Sequence, residues 1–305
     1  VFLRHNATTQ IQVYSIDGEK KQDMKLPTIG AANVSGTWNG DKVYVYFSSF
    51  AYPGTSFTYS VEDNELTLVK KSPIDVDVSN VEVEQVFYPS KDGTDVSMFI
   101  VQRKDAPRDG SVPVLLTGYG GFNVSMMPRF STLYTVWLEA GGSVAIPNLR
   151  GGGEYGRAWH EGGMREKKQN VFDDFIAAAE YLEKEGYSHR DKIAIAGGSN
   201  GGLLVSAVVT QRPELFQAVL CKVPLTDMIR YHQFGLANIW SEEYGNADDP
   251  EMFPHLLAYS PYHNVVKGTD YPAVLVTGSE NDARTAPVHA RKMAAALRWA
   301  DADFG

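Results

Sequence analysis

Residues 193–202 read IAIAGGSNGG, and the reading of this stretch decides the fold. Four apolar residues, Ile193, Ala194, Ile195 and Ala196, stop at a run of glycines around Ser199 and Asn200. A second apolar run follows at once through Leu203, Leu204, Val205, Ala207, Val208 and Val209. A buried strand leading straight into a helix, with G-x-S-x-G in the bend, predicts a turn so tight that a Cβ at the glycines would strike neighbouring backbone. The serine then stands clear of the sheet, and the unpaired N–H groups and positive end of the helix face its oxygen. The bland alternative is a glycine-rich turn in an ordinary strand–helix unit. The strand before it and the helix after it favour the chemical reading.

Such a bend is how α/β-hydrolases present a nucleophile, and the rest of the chain has the grammar this fold needs. Residues 1 to about 72 read as β throughout, with strands around Ile11 and Val13 and over 43–47, 57–61 and 66–69, and turn signals at Asp17-Gly18 and Asp63-Asn64. That amounts to one or two four-stranded propeller blades, too little for a whole propeller. Ser72-Pro73 marks a boundary. Residues 73–305 then alternate: an antiparallel pair at 81–88 and 96–102, strands at 112–117, 144–147, 218–222 and 273–277, and helices at 171–185 and 288–300. Repeated β–α units predict a mostly parallel sheet with helices on both faces. The expected fold is therefore α/β, an α/β-hydrolase domain preceded by the last strands of a β-propeller.

Composition removes several function classes. A net charge of −9 leaves no surplus of cations to displace phosphate counterions, so nucleic acid is not expected as a partner. The pairs Lys20-Lys21, Lys70-Lys71 and Lys167-Lys168 read as solvated surface. Cys221 is the only cysteine, which rules out an internal disulfide and fits a reducing, cytoplasmic setting. No apolar run approaches the ~18 residues of a membrane span. Sequons beginning at Asn6, Asn33 and Asn123 are short enough to arise by chance. The chain starts without methionine and ends just after a helix, so a piece of a longer protein, truncated at both ends, is expected.

A serine hydroxyl is a poor nucleophile until a base takes its proton, and in this fold the chain order is serine, acid, histidine. The loop after 273–277 offers Glu280 and Asp282. Of the seven histidines only His289 follows, and it lies inside the next helix, where it reads as a helix-face residue. The base is expected beyond residue 305, and the 305-residue stretch alone is expected to be nearly inactive. His160-Glu161 lacks the second histidine four positions on that a zinc-protease helix carries. Neither a metal nor a cofactor is called for.

Six stretches carry a closer likeness: GYGGFNVS (118–125), NLRGGGEYG (148–156), KQNVFDDF (168–175), AEYLEKEGY (179–187), GGSNGGLL (197–204) and AYSPYHNV (258–265). Through them the sequence resembles the prolyl oligopeptidase family of serine peptidases over essentially its whole length. The resemblance implies that Ser199 is the nucleophile and Asp282 the triad acid, with Glu280 a minority choice because the loop is one residue longer than the usual pattern. It implies an oxyanion hole made by the Asn200 N–H and the Tyr119 hydroxyl. It also implies a pocket in which a proline ring stacks on Trp240, walled by Phe122, Val223 and Tyr244, with Arg284 bonding the peptide carbonyl before the proline. Residues 1 to 72 would be the end of a seven-bladed propeller, and the whole protein a monomer acting on short proline-containing peptides. Each aromatic could equally be core packing, although the polar neighbours Ser241, Glu242 and Glu243 favour a pocket role for Trp240.

Rival readings are cleavage after basic residues, as in the oligopeptidase B branch, which the acidic YGNADD stretch (244–249) keeps open. A carboxylesterase has no need of a propeller. Transpeptidation would replace water by an amine at the acyl-enzyme. A non-catalytic binding module would have no use for an intact Ser199, Asp282 and Tyr119.

Overall fold

Two antiparallel sheets take up the first 71 residues of the computed structural model, which describes residues 2–301 apart from 39, 41 and 75. The truncation read at the two ends of the chain, Val1 and 302–305, lies outside the described residues. β1 (Phe2–His5), β2 (Thr8–Tyr14) and β3 (Lys20–Asp23) form a three-stranded sheet. β4 (Ala31–Gly36), β5 (Val43–Ser49), β6 (Tyr52–Ser60) and β7 (Glu65–Lys71) form a four-stranded meander. Strict alternation along β6 turns Phe57 and Tyr59 inward, onto Val45 and Phe47 of β5, Ile11 of β2 and Met24 just after β3. β3 and β4 escaped the sequence reading because KKQD and AANVSG carry almost no apolar alternation; their neighbours impose the strand on them.

The second part is one seven-stranded sheet in the order β14-β13-β12-β10-β11-β9-β8. β8 (Val81–Pro89) and β9 (Asp95–Arg103) pair antiparallel, and β9 meets β11 antiparallel. β10 (Val114–Thr117), β11 (Ser143–Pro147), β12 (Ile193–Gly198), β13 (Ala218–Lys222) and β14 (Ala273–Thr277) run parallel. β10 starts two residues later than the sequence suggests, after Pro113, which has no N–H to give to a ladder. The helices are α1 (Thr132–Glu139), α2 (Arg157–Glu161), α3 (Gln169–Lys184), α4 (Asn200–Gln211), α5 (Ser241–Tyr244), α6 (Phe253–Tyr259) and α7 (Val288–Ala300). α3 lays Val171, Phe172, Phe175, Ile176, Ala179 and Leu182 as one apolar stripe on the sheet and stops at Gly186, whose φ of 73° suits a C-terminal cap. α4 is buried from Asn200 to Val209, and with Ile193 and Ile195 of β12 it forms the centre of the main core.

Register fixes where the chemistry can happen. Gly198 stands opposite Lys222, and Lys222 opposite Thr277, so the loops after β12, β13 and β14 leave the sheet along one edge. The neighbouring glycine-rich loop is held by charge. Arg150 and Asp174 are both buried, and the guanidinium Nη2 lies 2.7 Å from Asp174 Oδ1 while Nη1 lies 2.5 Å from Asp92 Oδ2. The Arg150 hydrogen bond draws the Asp92 carboxyl down to about 2. Truncating one partner of a buried pair strands the other charge, at a cost of about 3–5 kcal/mol. Arg150→Met should therefore lower the urea midpoint sharply, and a loss below about 1 kcal/mol would show that Asp174 finds other partners.

Candidate active site

Ser199 sits between β12 and α4 at φ 56°, ψ −120°, a conformation that few residues other than glycine adopt. It is imposed by crowding: a Cβ on Gly197 would lie 2.0 Å from the Gly201 carbonyl oxygen, and one on Gly202 would lie 2.8 Å from the Lys222 carbonyl oxygen. The Ser199 N–H is used up on the Lys222 carbonyl at 3.0 Å, closing the bend onto β13. The Asn200 N–H, first in α4, has no acceptor among the described residues and faces the same side as the helix's positive end.

Tyr119 follows β10, with its hydroxyl close enough to the Ser199 side chain to influence its own titration. Burial raises the Tyr119 pKa, against the pull of Ser199 and the Arg284 charge, so the hydroxyl stays protonated and able to donate. The Asn200 side chain bridges this loop to the pocket: its Nδ2 donates to the Tyr119 carbonyl and its Oδ1 accepts from Tyr244 Oη at 2.9 Å. Phe122 stands edge-on to Trp240, ring centres 6.2 Å apart, and to Tyr244 at 5.5 Å. These three rings thus meet beside the elbow.

Val223 does not join them. It follows β13 at φ 39°, with its N–H on the Thr277 carbonyl at 2.8 Å and its side chain half-exposed, outside the apolar cluster that holds the three rings. Leu225, two residues on, is buried in that cluster, and the sequence reading passed it over.

The two candidate acids separate. Asp282 Oδ1 accepts the N–H groups of Arg284 and Thr285, each at 2.9 Å, and Oδ2 accepts the Thr285 hydroxyl at 2.8 Å. Burial pushes the carboxyl up, but the Thr285 and Arg284 hydrogen bonds outweigh it and leave the pKa below its ordinary value. Glu280, its side chain 79% exposed, turns to Arg291 of α7 at 2.8 Å. Arg284 is exposed, and its N–H binds Asp282 at the turn of this loop.

His289 is 1% exposed, and its Nδ1 accepts the N–H groups of Thr226 and Asp227, both at 3.2 Å. Burial pushes its pKa down to about 4, so it stays neutral and locked in the core. Among the described residues no histidine hydrogen-bonds Ser199. Ser260, His263 and Asp227 look like a second triad, with Ser260 Oγ 2.8 Å from His263 Nδ1 and His263 Nε2 3.8 Å from Asp227 Oδ1. Ser260 is wholly buried, however, and its oxygen is occupied by the Met228 N–H and the Thr226 carbonyl, so no substrate can reach it.

One reading is corrected. Lys168, expected on the solvated surface as half of the Lys167-Lys168 pair, is 1% exposed and lies 3.8 Å from the buried carboxylate of Glu243. Burial draws the ammonium down to about 8, against the pull of Glu243. The available signal was its place just before the apolar stripe of α3.

An elbow serine with a phenol hydroxyl and a free helix N–H beside it, on the strand-end edge of a parallel sheet, defines an α/β-hydrolase site. The sequence profile of the prolyl oligopeptidase family matches residues 128–304, and that of its N-terminal β-propeller domain matches residues 1–72. The chain belongs to the prolyl oligopeptidase family. It is 43% identical to a prolyl endopeptidase of Elizabethkingia miricola over 295 residues, which are 96% of this chain and 42% of that protein. It is 37% identical to a dual function macrocyclase-peptidase of Galerina marginata, covering 97% of this chain and 41% of that one. A solved structure from a study of two prolyl endopeptidases superimposes with a TM-score of 0.92 at 50% identity, covering 97% of this chain and 44% of its own. The chain thus spans less than half the length of the relatives it matches. No helix among the described residues is long and apolar enough to cross a membrane.

Proposed function

We propose that the full-length protein is a serine peptidase that cuts short peptides on the carboxyl side of proline, with residues 73–305 as its catalytic part and residues 1–72 as part of a propeller. The strained elbow at Ser199, tied through Asn200 to the Phe122–Trp240–Tyr244 rings, carries the reading. Ser199 Oγ attacks the carbonyl carbon and its proton passes to a base. The carbonyl oxygen becomes negative as the tetrahedral centre forms, and the Tyr119 hydroxyl and Asn200 N–H stabilise it; one such donor is typically worth about 3 kcal/mol. Collapse expels the amine with the proton from the base, and water then hydrolyses the acyl-Ser199 ester. Asp282, held ionised by its loop, orients and balances the base. With His289 fixed in the core, we place the base on a histidine outside the 305 residues.

The pocket favours proline over a basic residue. The Phe122, Trp240 and Tyr244 rings, packed edge to face, would give a proline ring an apolar surface, and burying a ring there gains roughly 25 cal/mol per Å². Glu243, the buried acid nearest the slot, is already taken by the Phe122 N–H, His160 and Lys168. Asp248 pairs with His232, and Asp249 accepts the Glu251 N–H.

Hydrolysis of Gly-Pro and Arg-Arg reporters by the full-length protein tests this. The expected result is cleavage of Gly-Pro alone, with Trp240→Ala raising KM for it more than it lowers kcat. Preferential cleavage of Arg-Arg would overturn the assignment.

A further inference from the structure

Behind the aromatic slot lies a buried charged cluster to which the proposed chemistry gives no task. Glu243, on α5, is 4% exposed. Its Oε1 accepts the Phe122 N–H at 2.8 Å, and its Oε2 lies 2.8 Å from His160 Nε2 of α2. Lys168, 3.8 Å from Oε1, donates to the Gly120 carbonyl at 2.8 Å. The pair therefore grips two backbone groups of the loop that runs from Tyr119 to Asn123. In that loop Phe122 and Asn123 both hold left-handed backbone, at φ 56° and 57°. Such backbone persists only where its surroundings over-determine it.

The chemistry of the cluster also points to geometry rather than to stability. A carboxylate is costly to bury unless it is paired and hydrogen-bonded, and well-packed apolar residues in place of a buried ion pair are often as stable. What apolar residues could not supply here is an acceptor aimed at the Phe122 N–H and a donor aimed at the Gly120 carbonyl.

We propose that Glu243 is a positioning residue: held by His160 and neutralised by Lys168, its carboxylate fixes residues 119–123 so that the Tyr119 hydroxyl meets Ser199 and Phe122 closes the slot against Trp240. The inference rests on the reading of Ser199 as nucleophile and Tyr119 as oxyanion donor. Glu243 touches no reacting atom and acts through Tyr119 and Phe122. A displacement of about 1 Å at a catalytic donor can cost a hundredfold in rate, so a loosened loop should be visible in the chemistry itself.

The test compares Glu243→Ala, Glu243→Gln and His160→Ala in the full-length protein. It measures the urea midpoint, kcat and KM on a post-proline reporter, and the rate of labelling of Ser199 by a fluorophosphonate. Glu243→Ala should slow labelling about 10- to 100-fold, and kcat should fall by more than KM rises. Glu243→Gln keeps an oxygen for the Phe122 N–H and should recover most of the loss, with His160→Ala in between. A folded Glu243→Ala protein with wild-type labelling and kcat overturns the proposal. If that variant does not fold, wild-type labelling of His160→Ala overturns it instead. Labelling does not depend on the residue before the scissile bond, so a wild-type enzyme that cuts after something other than proline still reports on Glu243. A wild-type protein that resists labelling overturns the reading of Ser199, and this inference with it.

Discussion

Replacing Ser199 with alanine is expected to lower post-proline turnover by the full-length protein about 10⁵- to 10⁶-fold, with peptide binding little changed. The expectation follows from the bend. The hydroxyl is the group that the sharp turn lifts beside the Tyr119 hydroxyl and the free Asn200 N–H, and the oxyanion donors left behind have nothing to stabilise without an attacking oxygen. The same bend predicts a second, opposite effect. Ser199 is held at φ 56° and ψ −120°, where glycine sits without strain, and strain of this kind costs about 1–3 kcal/mol. Ser199→Gly should therefore be as inactive as Ser199→Ala but more stable than the wild type, by about 1 kcal/mol in a urea titration. Stability would rise as function disappears, the pattern expected where a site is built at the expense of the fold. Turnover by Ser199→Ala within tenfold of the wild type would remove Ser199 from the chemistry.

Most of the architecture was legible because it rests on local pattern. The glycine run after Ile193–Ala196 can only be a tight bend, and the apolar spacing of 171–185 can only be an amphipathic helix. What escaped is what neighbours impose. The strand KKQD has no apolar signal of its own, and β2 supplies its ladder. The site shows the same division. Ser199 and the acidic loop follow from chain order, and the three rings from the family likeness. The partners that hold the Tyr119–Asn123 loop come from far along the chain: Glu243 lies 121 positions from Phe122, and Lys168 lies 48 from Gly120. Neither residue type looks buried in sequence, because Lys and Glu are almost never fully buried unless paired, and pairing is not visible in one dimension. The position of Val223 outside the cluster is likewise not visible in one dimension. After β13 the chain holds a left-handed φ of 39° at Val223, and Leu225, two residues on, is the side chain buried in the apolar cluster.

Asp282→Asn is the second change expected to be severe, lowering kcat of the full-length protein about 10⁴-fold. The loop explains why the effect should fall on chemistry and not on folding. Asp282 Oδ1 accepts two N–H groups, and an asparagine oxygen can accept the same two, so the turn from 282 to 285 survives. The negative charge does not survive, and with it goes the group that fixes the tautomer of the base and balances its proton. Glu280→Gln, by contrast, only breaks an exposed pair with Arg291, worth roughly 0–1 kcal/mol, and should leave kcat within about twofold of the wild type. If the two variants changed places, the extra residue in the loop would have shifted the acid to Glu280. The pH dependence adds a separate check. A carboxyl whose folded pKa lies below its unfolded value contributes above the unfolded value, and the contribution is lost as pH falls through the folded one. Asp282 is depressed in this sense, so its loss of charge belongs below its ordinary range. An acid limb of kcat/KM with a midpoint near 6 would then report the base, and it should keep its midpoint in Glu280→Gln. In Asp282→Asn the same limb should move to lower pH, because a base without its carboxylate holds a proton less firmly. An acid limb that stays in place when Asp282 is neutralised would mean that this carboxylate does not face the base at all.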